Sequence, residues 1–81
     1  MRIERLVTMA NDIGQFFNAE QDKDEAARGV ANHVKRFWEP RMRREIIAHY
    51  QQGGHGLDTL VHTAIGILAE GESGQRAEGK G

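Results

Sequence analysis

Val34-Lys35-Arg36-Phe37-Trp38-Glu39-Pro40-Arg41-Met42-Arg43-Arg44-Glu45-Ile46-Ile47-Ala48-His49-Tyr50 holds the only Trp and the only Pro of the chain, together with its densest charge. Pro40 has no N–H to donate and disfavours an α conformation at Glu39. A helix arriving through Phe37 must therefore stop, and a new one begins with Pro40 in its first turn. The chain turns a corner here, with two large aromatics before the bend and five bases around it. The ten residues from Lys35 to Arg44 carry +4, from five bases and one acid, and since the whole chain carries −1 the remainder carries −5. Such clusters are usually solvated faces, but Arg beside Trp and Phe is also the composition enriched at protein interfaces. The negative total argues against a general nucleic-acid or membrane binder, and the local cluster suits a partner with an acidic patch.

Upstream of the corner, Ile3, Leu6, Val7, Ala10, Ile13, Gly14 and Phe17 fall at helical spacing and predict an amphipathic first helix. The acidic run Glu20, Asp22, Asp24, Glu25 interrupts the stripe. Asp22, three residues before Glu25, resembles a capping box with Asp as the cap, so a second helix begins near Lys23. Its stripe is Ala26, Ala27, Val30, Val34 and Phe37, and Gly29 lets a neighbouring backbone approach. Downstream, a third helix from Pro40 to about Gln52 places Met42, Ile46, Ile47 and Tyr50 on one side. Gly53-Gly54-His55-Gly56 closes it with a left-handed cap. Leu57, Leu60, Val61, Ala64 and Leu68 then resume the helical stripe, with Asp58 in the first turn of the fourth helix. From Gly71 onward Ala77 is the only apolar residue, too little to offset chain entropy. The expectation is an all-α domain over 1–70, a bundle of about four short helices in two stacked hairpins, followed by a disordered tail over 71–81. Phe16-Phe17, Phe37-Trp38 and Ile46-Ile47 are adjacent pairs about 100° apart on a helix, so one member of each is pushed toward the edge of its stripe or beyond. They predict apolar surface left for a partner, or for a homodimer when the chain is isolated.

The chemistry available is sparse. An 81-residue chain is at most one domain and has no room for a large active-site cleft. Without cysteine there are neither disulfides nor thiolate ligands. His33, His49, His55 and His62 belong to no metal-binding grouping, so no metal is expected. The glycine-rich connection follows a helix and lacks the Lys-Ser/Thr of a phosphate loop, and the only serine, Ser73, lies in the expected tail. No run approaches the roughly 20 apolar residues of a membrane span. These observations predict a non-enzymatic, cofactor-free, cytoplasmic protein. A helix-turn-helix formed by the second and third helices, with Arg41, Arg43 and Arg44 opening the recognition helix, remains an alternative; Pro40 in its turn and the negative total charge speak against it.

Three segments carry a resemblance. They are Leu6-Val7-Thr8-Met9-Ala10-Asn11-Asp12-Ile13-Gly14-Gln15-Phe16-Phe17, the run from His33 through Phe37-Trp38-Glu39-Pro40-Arg41-Met42-Arg43, and Gly54-His55-Gly56-Leu57. Together they resemble the delta subunit of soluble, molybdenum- or tungsten-containing NAD-dependent formate dehydrogenases. One departure is Gln21-Asp22, where such proteins are expected to have a Pro before the cap. The resemblance implies an accessory role beside larger subunits that carry the molybdenum or tungsten cofactor, iron–sulfur clusters, FMN and the NAD site. The delta protein would carry none of these and would serve assembly or stability of the holoenzyme. A maturation chaperone for molybdenum-cofactor insertion is the alternative, and a small nucleic-acid-binding helical protein a more distant one.

The expected partner interface is the corner: Phe37, Trp38, Pro40, Arg41, Met42, Arg43 and Arg44. Because Phe37 completes the apolar stripe of the second helix, Trp38 is the aromatic expected to point outward. The competing expectation is that Trp38 is the largest core residue.

Overall fold

The structure is a computed structural model that describes residues 2–80, with side chains described through Glu72. Four helices follow one another: α1 (Ile3–Phe17), α2 (Lys23–Phe37), α3 (Pro40–Gln51) and α4 (Thr59–Lys80). The expected all-α architecture is the observed one. Helix α4 meets all three other helices, and its most extensive contact is with α2.

Local chemistry sets the boundaries. Asp22 caps α2, its Oδ1 accepting from the Asp24 N–H at 3.0 Å and the Glu25 N–H at 3.2 Å. The reciprocal half of the capping box is supplied from the other side, since Glu20 Oε2 accepts from the Asp22 N–H while Glu25 turns to Arg28. Gly53, Gly54 and Gly56 all have positive φ, which makes the turn after α3 inexpensive for glycine and strained for other residues. Asp58 lies just outside α4, whose first turn begins at Thr59; the Asp58 carbonyl accepts from the His62 N–H at 2.7 Å. The spacing puts Asp58 in the first turn of that helix, and the structure places it just before that turn.

One core joins the four helices. Leu6, Val30, Val34, Ile46, Val61 and Ile65 are its largest fully buried side chains, filled in by Ala10, Ala27, Ala31 and Ala64. With so many small residues, backbones come close at glycines. A Cβ on Gly14 would run into Val61, and one on Gly66 would stand 2.7 Å from the Tyr50 hydroxyl. Helix α4 continues through Gly71 and Glu72, which composition assigns to the tail. The rest of the tail expected over 71–81 falls on residues whose side chains are not described; the backbone of α4 runs to Lys80.

Candidate partner-docking site

The corner is built as Pro40 requires. Trp38 and Glu39 are both extended, with ψ of 142° and 152°, and Pro40 is the first residue of α3. Leaving the helix at Trp38 redirects its side chain. The indole is 94% removed from solvent and belongs to the core, whereas the Phe37 ring is 65% exposed. Helical periodicity, carried one residue too far, predicted the opposite: Trp38 outward and Phe37 inward. The correction follows from Trp38 no longer being helical, so that the 100° step does not apply to it.

The remaining expected interface residues divide in the same way. Arg43 is half-buried and points inward. Its Nη1 donates to the Trp38 carbonyl at 2.7 Å and the Lys35 carbonyl at 3.2 Å, and its Nε donates to Glu72 Oε2 at 3.2 Å. It therefore satisfies carbonyls at the end of α2 and ties the corner to α4, instead of forming part of a free cationic rim. Met42 packs against the core. Pro40, Arg41 and Arg44 are exposed, Arg41 beside Glu45 at 3.7 Å one turn on. The exposed Phe37 ring packs against His33 in a tilted pair with centroids 4.8 Å apart, and the Arg36 guanidinium lies 5.7 Å from its centroid. The surface of the corner is thus one aromatic ring with Arg36, Pro40, Arg41 and Arg44 nearby in sequence, over a floor made by Trp38, Met42 and Arg43.

Asn11 is a structural residue that spacing did not single out. Its Nδ2 donates to the Gly56 carbonyl at 3.0 Å and its Oδ1 accepts from the Asp58 N–H at 2.9 Å, clamping the glycine-rich connection onto α1. The available signal was a polar residue between Val7 and Gly14, two inward positions of α1. The histidines form no shared centre: His49 Nε2 is 2.7 Å from the His55 carbonyl, and His62 packs against Tyr50 in a tilted pair with centroids 4.8 Å apart. Among the described residues no group of three or more His, Cys, Asp or Glu side chains is placed to hold a metal ion. Open grooves of about 260 and 310 Å³ flank the start of α4, bordered by Asn18, Thr59 and Leu60. No helix among the described residues is long and apolar enough to cross a membrane.

The family model of the NADH-dependent formate dehydrogenase delta subunit FdsD matches residues 5–65. The chain belongs to this family. The match runs from α1 through the corner and the glycine-rich connection into α4, so the Asn11 clamp and the Phe37–Arg44 corner both lie inside the part that defines a delta subunit. Membership implies association with other formate dehydrogenase subunits. No curated protein and no solved structure matches the chain.

Proposed function

We propose that this chain is a non-catalytic delta subunit that supports assembly or stability of a formate dehydrogenase, docking on a larger subunit through the exposed side of the α2–α3 corner. The observation that carries the proposal is the 65% exposure of the Phe37 ring on a corner whose backbone is fixed by Arg43. A rigidly mounted aromatic with arginines nearby has the composition of an interface anchor, and a preset backbone lowers the ordering cost of binding. The docking set is Phe37, Pro40, Arg41 and Arg44, with Arg36 beside the ring. The complementary surface would be an apolar recess rimmed by acidic residues.

The test is co-expression of tagged chain with the larger subunits. Phe37→Ala and Arg41→Ala/Arg44→Ala should each reduce captured enzyme by tenfold or more, about 1.4 kcal/mol, while leaving the melting temperature of the isolated chain unchanged. Undiminished capture with both variants would overturn the docking site. Retention in the mature enzyme at one copy per catalytic subunit supports a permanent subunit; capture of cofactor-free enzyme alone would replace that role with a maturation chaperone.

A further inference from the structure

Helix α4 runs on past residue 65, where the family match ends, and its next turns lie beside the end of α2. Leu68 and Ala69 are buried there, but the seating stops with them. Ile67 is exposed, a Cβ on Gly71 would meet nothing within 4 Å, and an open cleft of about 130 Å³ lies between Asn32 and Lys35 of α2 and Gly71 and Glu72 of α4. Glycine at 66 and 71 also lowers the helix propensity of this stretch. Among the described residues, one side-chain bond ties residues 66–72 to another element: Arg43 Nε to Glu72 Oε2 at 3.2 Å, between side chains 21% and 34% exposed.

Arg43 is shared between this tie and the corner. Its Nη1 donates to the Trp38 and Lys35 carbonyls while its Nε donates to Glu72, so the planar guanidinium cannot turn toward one partner without leaving the others. The Lys35 carbonyl belongs to the last turn of α2, and the Trp38 carbonyl to the extended residue that begins the bend. Both depend on a guanidinium that Glu72 holds in place. We infer that residues 66–72 form a strap: the Arg43–Glu72 pair closes the end of α4 onto the α2–α3 corner, and the two open and close together. The inference rests on the docking proposed above in one respect, that the closed corner is the state presenting Phe37 to the larger subunit. By linkage, a subunit that binds the closed corner more tightly than the open one holds the strap shut, without touching it.

Native-state amide exchange of the full chain, followed residue by residue, tests the strap. Glu72→Ala removes the pair while raising helix propensity at its position, so a helix end that depended on its own backbone alone would exchange more slowly. The strap predicts the reverse. Exchange should quicken by about two- to fivefold over residues 68–72 and also at the Trp38 N–H, which bonds to the Val34 carbonyl; that is the size expected of a partly exposed ion pair. Glu70→Ala, at an exposed position two residues earlier, makes the same change in propensity and should leave Trp38 unaffected. Raising salt from about 50 to 500 mM should quicken exchange at both places in the unaltered chain and at neither in Glu72→Ala. Slower exchange at the end of α4 in Glu72→Ala, or faster exchange there with Trp38 unchanged, would overturn the strap. In the assembled enzyme, docking should slow exchange over residues 68–72 of the unaltered chain but not of Glu72→Ala. Equal slowing in both would mean that the larger subunit covers the end of α4 directly, and would overturn the coupling to docking. Capture undiminished by Phe37→Ala, with exchange in the isolated chain still coupled, would remove the docking site and leave the strap standing.

Discussion

Arg43 does with one guanidinium what several residues usually share at a helix end: it satisfies two carbonyls of the α2 terminus and reaches Glu72 on α4. Its removal should therefore be a folding defect. Arg43→Ala is expected to cost about 1.5–3 kcal/mol in urea unfolding, the range for hydrogen bonds to a charged group, whereas exposed Arg41→Ala should change stability by less than about 0.5 kcal/mol. Trp38→Ala belongs with Arg43→Ala. Emptying a site that is only 6% exposed should cost about 3–5 kcal/mol, enough to leave a domain this small largely unfolded at 37 °C. Equal melting temperatures for Trp38→Ala and the unaltered chain would contradict the placement of the indole in the core. Asn11→Ala breaks two bonds between segments 45 and 47 residues apart and should cost about 1–2 kcal/mol, seen as earlier hydrogen exchange at Asp58 than at the centre of α4.

Between elements, the close approaches are made by absent side chains. Gly14→Ala would push a methyl into Val61 at the contact of α1 with α4 and should destabilise by about 1–3 kcal/mol despite the better helix propensity of Ala. A Gly14→Ala protein as stable as the parent would mean that α1 and α4 can separate freely. The four helices and their order were legible because each has an apolar stripe at period 3.6 and clear punctuation at Asp22, Pro40 and Gly53. The corner residues were legible as a group but not individually. Periodicity holds only while the backbone is helical, so it failed at Trp38, the one residue that decides which aromatic is free. Arg43 was misread for a related reason: composition reports five bases near a bend, and only the fold reveals that one of them is taken up by carbonyls 5 and 8 residues earlier. Asn11 escaped because its partners, Gly56 and Asp58, are distant in sequence and local pattern carries no trace of them.

For the whole molecule, the ungrouped histidines and lack of cysteine lead to a plain expectation: chelator-washed and untreated protein should melt at the same temperature, and a shift of several degrees on adding zinc would reveal a site that the described residues do not form. The placement of Trp38 has a kinetic consequence. The contact of α2 with α4 joins segments far apart in sequence, whereas each helix is local. Helices relax in about a microsecond or less, and long-range closure is slower. As the sole indole, buried in the core that joins the four helices, Trp38 makes intrinsic fluorescence a reporter of core closure, so in stopped-flow refolding its emission should lag the far-ultraviolet signal of the backbone.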